Sequence, residues 1–171
     1  LGIQATEGKW IAPSDANHPN TWMTFRKDII LPKRPEKAVA QIAVDSKYWL
    51  WINGQLAVFE GGVKRGPTPK DTYYDEVQKG KNQIAILVWY FGKEGFSHKS
   101  SGQAGLLFNL ESKKFVLGSD ETWLCRIHPA YGSADAPYPN FRLPESNIRF
   151  DARKDMTGWQ TTECPETLGF S

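Results

Sequence analysis

Residues 38–60 read AVAQIAVDSKYWLWINGQLAVFE, and the spacing of their apolar side chains decides the fold. Two alternating runs meet at Asp45-Ser46, and Asn53-Gly54 separates the second from a third, shorter run. In the middle run Tyr48, Leu50 and Ile52 fall on one face while Trp49 and Trp51 fall on the other. That is the period-two pattern of a strand occupied on both faces. Asn-Gly between such runs predicts a two-residue hairpin, because both residues tolerate the positive φ of a type I′ turn.

The flanking sequence reads the same way. In 22–31 (WMTFRKDIIL) Met23, Phe25, Ile29 and Leu31 share one face, interrupted by Lys27, while Thr24, Arg26 and Asp28 share the other. Pro32 and Pro35 end that strand, since proline removes a ladder donor. Residues 83–91 (QIAILVWYF) form the most hydrophobic strand and belong at the centre of a sheet. Further strands are predicted at 106–110, 114–117, 122–126 and 147–152. Between them lie two glycine-rich loops, 61–71 and 92–105, and a proline-rich loop through Tyr131, Pro137, Tyr138 and Pro139. The first of these leads into Tyr73-Tyr74-Asp75-Glu76. No segment holds a helical period over three turns. Short strands separated by turn chemistry predict an all-β chain, a β-sandwich or jelly roll. An N-terminal arm over 1–21, the sandwich over 22–153 and a tail or linker over 154–171 complete the expected organisation.

A chain of 171 residues suits one domain with a core that needs neither disulfide nor metal. Aromatic content of 13 %, with seven tryptophans, fits a β-protein or a carbohydrate-facing surface, because flat rings stack on sugar rings. A formal net charge of +2 without a Lys/Arg block argues against nucleic acid as a partner. No run approaches the length of a membrane span. The two cysteines, Cys125 and Cys164, show no metal spacing, and the sequence leaves free thiols and a disulfide both open. The start, Leu-Gly-Ile-Gln, carries no signal-peptide pattern, so either a signal was removed or the chain is a piece of a longer protein.

Catalytic patterns are scarce. There is no Gly-x-Ser-x-Gly elbow, no His-Glu-x-x-His and no paired CxxC. His18, His98 and His128 lie in separate loops and read as exposed side chains, with His98 in the 92–105 loop the best placed for a function. Asp71, Asp75, Glu76 and Glu94 offer carboxylates for a glycosidase, which needs a pair roughly 5–10 Å apart. Against this, Asp45, Asp71 and Asp120 stand where turn-forming aspartates are expected. The same oxygens suit calcium by type, but no calcium-loop pattern holds them, and no cofactor is expected. Trp51 and Trp89 read as core, whereas Tyr73, Tyr74, Phe96, Tyr131 and Tyr138 are loop-borne rings. A sugar site needs an aromatic platform with a few planar polar groups, and Arg65, Asp71, Tyr74 and His98 supply that set from two loops.

An ordered series of motifs carries a family resemblance: Trp-Leu-Trp-Ile-Asn-Gly (49–54), Arg-Gly-Pro (65–67) with Asp71 and Tyr74, Gly-Lys-Asn-Gln-Ile-Ala-Ile (80–86), and Val-Trp-Tyr-Phe-Gly (88–92). It resembles the N-terminal β-sandwich, a galactose-binding-like domain, of bacterial α-L-rhamnosidases. Asn-Ile-Arg-Phe-Asp-Ala-Arg (147–153) and Gly158-Trp159 look like that domain's closing segment, with Phe150 where a tyrosine is usual. The resemblance spans about residues 22–160. It implies a non-catalytic accessory domain of a secreted or periplasmic glycoside hydrolase whose catalytic carboxylates sit in a separate (α/α)₆ barrel of the same polypeptide. Such a domain grips a rhamnose-like sugar or plant polysaccharide, or braces the barrel. Some related modules bind L-rhamnose with calcium, but their ligand residues match no positions here. A stand-alone glycosidase using Asp71, Asp75 or Glu94 is the third reading.

Overall fold

A computed structural model describes residues 8–62, 77–94, 99–135, 147–161 and 163. The strands are β1 (Thr21–Leu31), β2 (Val39–Val44), β3 (Lys47–Ile52), β4 (Gln55–Gly62), β5 (Gly80–Tyr90), β6 (Leu106–Ser112), β7 (Phe115–Gly118), β8 (Leu124–Ile127), β9 (Tyr131–Ser133) and β10 (Ile148–Phe150). A 3₁₀ turn follows at Ala152–Lys154. An antiparallel five-stranded sheet runs in the order β4-β3-β5-β1-β8, a three-stranded sheet in the order β2-β6-β7, and β9 pairs with β10. The chain is all-β.

The organising hairpin forms as the sequence dictates. Asn53 (φ 52°) and Gly54 (φ 78°) turn β3 into β4 with both residues left-handed. The Asn53 side chain accepts a hydrogen bond from the Gln83 amide at 2.8 Å, and the Gln83 carbonyl accepts one from the Asn53 amide at 2.8 Å, so the turn is tied to β5. Asp45-Ser46 carries the chain from one sheet to the other, since β2 pairs with β6 and β3 with β4 and β5. β5 occupies the middle of the larger sheet, between β3 and β1. On β4 a Cβ at Gly61 would overlap the Tyr48 ring, which is why that position carries no side chain.

One core fills the space between the two sheets. Met23 and Phe25 of β1, Leu50 and Ile52 of β3, Ile84, Ile86 and Val88 of β5, and Leu106, Phe108 and Leu110 of β6 are buried in it together. Each contributes roughly 1.5–3 kcal/mol by leaving water. A second cluster lies on the opposite face of the five-stranded sheet. It joins Trp22, Leu87, Trp89 and Phe91 to Met156 and Trp159, with Trp49, Trp51, Tyr131 and Ile148 packed against it. Met156 and Trp159 lie past the boundary drawn at residue 153 from sequence, and both are buried here.

Two expectations are corrected. The predicted proline-rich loop begins with β9, and its Tyr131 is no solvent-facing ring: it stacks on Trp22 with centroids 4.1 Å apart. His128 is not exposed but 2 % accessible, because it sits beneath that stack against Tyr131 and Trp159. His18 is exposed as expected and contacts Asp15 at 2.7 Å.

Candidate functional site

Arg65, Asp71, Tyr74 and His98, the residues singled out for a sugar site, all lie outside the described residues, as do Asp75, Glu76 and Phe96. The described anchors of their two loops can be placed. Gly62, before the first loop, pairs with Lys47, which also pairs with Trp89 on β5. The second loop starts two residues beyond Tyr90 and is held at that same end: Asp45 accepts hydrogen bonds from the Ser101 amide (2.6 Å) and the Ser100 hydroxyl (3.1 Å). The first loop rejoins the described fold at Val77 and Gln78, beside the Asn53 turn, where Asn82 binds the Gln78 amide at 2.8 Å and its carbonyl at 2.7 Å. Thus the first loop begins at the Asp45 end of the sheet and returns at the opposite end.

Asp45 is buried, and burial opposes its charge. Hydrogen bonds from the Ser46 hydroxyl, the Ser101 amide and the Ser100 hydroxyl outweigh that and hold its carboxyl below the ordinary aspartate value. It is therefore an ionised structural anchor for the 99–101 segment. Asp120 likewise acts as a turn aspartate, accepting from the Thr122 amide (2.9 Å) and hydroxyl (2.5 Å). Among the described residues no cluster of three or more His, Cys, Asp or Glu side chains is arranged to hold a metal.

The most distinctive surface is the outer, aromatic face. Trp22 and Trp89 are direct cross-strand partners and stack with centroids 4.6 Å apart and 11° between planes. Trp49 stacks on Trp22 at 5.4 Å, and Phe59 of β4 meets Trp49 edge-on at 6.3 Å. At the other end Tyr131 meets Phe150 at 5.0 Å. The row is buried at its centre and open at both ends, where Phe59 is 70 % and Phe150 49 % exposed. Stacks of this kind add about 0.5–1.5 kcal/mol per pair beyond burial. Trp89 donates its indole N–H to Asn20 at 2.7 Å, whereas the Trp22 indole nitrogen finds no acceptor among the described residues.

Sequence reasoning placed Arg26 correctly on the face opposite Phe25 but did not foresee its burial. Its guanidinium donates to the carbonyls of Trp159 and Thr161 (2.9 Å for the latter). Gln83 stands beside it. With its amide assigned from the network, it donates to the carbonyls of Gln160 (2.9 Å) and Thr161 (3.1 Å) and accepts from Arg26 at 3.2 Å. The available signal was an arginine in the middle of the predicted strand 22–31, on the face shared with Trp22 and Thr24; once buried, such a group is kept only where acceptors surround it.

Among solved structures, the GH78 family rhamnosidase of Bacillus sp. GL1 superposes on 99 % of this chain with a TM-score of 0.73 at 23 % identity. The chain has the fold of a domain found within α-L-rhamnosidases. The Aspergillus terreus α-L-rhamnosidase matches 92 % of the chain with a TM-score of 0.64 at 21 % identity. The Pleurotus ostreatus lectin matches 96 % with a TM-score of 0.53 at 19 % identity. The chain spans 18 % and 19 % of the two rhamnosidase chains and 48 % of the lectin chain. By sequence, no protein-family model and no curated protein matches. The rhamnosidase-type fold implied by the sequence motifs is thus the fold observed, at the level of architecture.

Proposed function

We propose that this chain is a non-catalytic accessory β-sandwich of an α-L-rhamnosidase-like glycoside hydrolase, bacterial and secreted or periplasmic, and that it binds carbohydrate. The observation that carries the reading is the recurrence of one fold, over nearly the whole chain, in rhamnosidases and in a lectin whose structure is also described in complex with GalNAc. Arg65, Asp71, Tyr74 and His98 are the proposed contacts, supplied by the loops at 61–75 and 92–105. Calorimetric titration with L-rhamnose and rhamnose-containing oligosaccharides is expected to show binding at roughly millimolar concentration. The signal should survive EDTA and be lost in Arg65→Ala and Tyr74→Ala. Absence of heat with every sugar overturns the binding reading.

The second reading is a brace for the catalytic domain of the same polypeptide. It is favoured by the exposed Leu56 and Phe59 on edge strand β4, apolar side chains that a neighbouring domain would cover. On that reading Phe59→Asp leaves sugar titrations unchanged and weakens association with the separately produced catalytic portion.

A further inference from the structure

Residues 147–161 cover the tryptophan face, yet among the described residues no ladder joins them to the five-stranded sheet, and β10 pairs with β9. Their described attachments to β1 and β5 are side-chain ones, from Arg26 and Gln83 to the carbonyls of residues 159–161. Elements held by few backbone bonds open at lower free energy than a packed core.

His128 lies under this segment, and its surroundings fit a neutral ring. Nδ1 accepts a hydrogen bond from the Ala130 amide at 3.3 Å, so the single ring proton resides on Nε2. Ala130 also accepts, through its carbonyl, a 2.8 Å hydrogen bond from the amide of Asp151. One residue therefore links the imidazole to the covering segment. From that segment Asp155 faces Nε2 at 3.6 Å, and from β8 Arg126 adds positive charge. Tyr131 of β9 and Trp159 lie edge-to-face with the ring at 4.8 and 6.4 Å. On β1 the Trp22 carbonyl accepts the His128 amide at 2.8 Å.

We propose that His128 is an acid-sensitive latch: protonation at Nδ1 sets two N–H groups against each other at Ala130 and releases residues 147–161 from the tryptophan face, while the core between the sheets stays folded. Burial opposes the charged imidazolium and Arg126 adds to that, with Asp155 working the other way; the net effect lowers the pKa below the ordinary histidine value. A depressed folded-state value means that docking is fully supported above the ordinary imidazole range. That support is lost as pH falls through the value in the docked state.

Hydrogen exchange at about pH 7.5 and pH 5, corrected for intrinsic rates, tests the latch. Amides of residues 148–159 are expected to lose protection severalfold at the lower pH, with β5 and β6 unchanged. Equal protection at both values, or parallel loss throughout the sandwich, overturns the proposal. By NMR the His128 ring should titrate below the same resonance in the urea-unfolded chain, and a titration at or above it also overturns the proposal. Asp155→Asn, which removes the carboxylate facing Nε2, should enlarge the loss at pH 5, and His128→Gln should erase the pH difference. An unchanged or smaller loss in Asp155→Asn counts against the latch even where His128→Gln fails to fold.

Discussion

The two faces of the five-stranded sheet are built from the same strands by different means. The inner face is mainly aliphatic, and a second hydrogen-bonded sheet closes it. The outer face is aromatic, and a segment with one short strand, β10, pinned to this sheet by Arg26 and Gln83, closes it. Phe25 and Trp22, three residues apart on β1, point into the two environments and are both buried. Burial alone therefore does not tell which contacts hold the fold and which hold a cover. The difference lies in how much ladder the covering layer has, three strands on the inner side against the three-residue β9–β10 pair on the outer side, because a ladder couples many residues into one cooperative unit.

The largest effect expected from this contrast is at Phe25. Phe25→Ala should cost about 3–5 kcal/mol in urea unfolding and lower protection across both sheets. A loss confined to β1 would break the claim that the inner core is one unit. Arg26→Met comes next, at about 2 kcal/mol, since it removes charge-assisted bonds to the carbonyls of buried Trp159 and of Thr161. Its effect should concentrate in residues 156–161, and equal loss in β6 would erase the distinction between the faces. The smallest test separates the stacked pair. Trp89→Phe loses the bond to Asn20, whereas Trp22→Phe removes an indole N–H with no described acceptor, so the former should cost about 1 kcal/mol more. Equal costs would show that stacking area alone governs this face.

The fold was legible where period two and turn chemistry act over neighbouring residues. Alternation in 48–52 assigned Leu50 and Ile52 to one layer and Trp49 and Trp51 to the other, and Asn53-Gly54 fixed the hairpin. The continuous run at 83–91 announced the central strand. The cover on the outer face was legible only in part: the strand predicted at 147–152 is β10, whereas β9 has three residues and Met156 and Trp159 follow no period. His128 was misread for the same reason: its burial depends on a segment that meets it through tertiary contact alone. The candidate sugar contacts come from loops, whose convergence no periodicity encodes.

The amide side chain of Asn82 has a consequence for engineering. It is 1 % exposed, grips both backbone groups of Gln78 and accepts from the Asn53 side-chain Nδ2 at 3.0 Å. The start of β5 is thereby held by residues 53, 78 and 82 together with its ladder to β1, and Gly62 is set independently by Lys47. The strands on either side of the stretch between Gly62 and Val77 are therefore expected to keep their alignment when that stretch is exchanged for another peptide long enough to span the two ends of the sheet, which makes it a port for grafting.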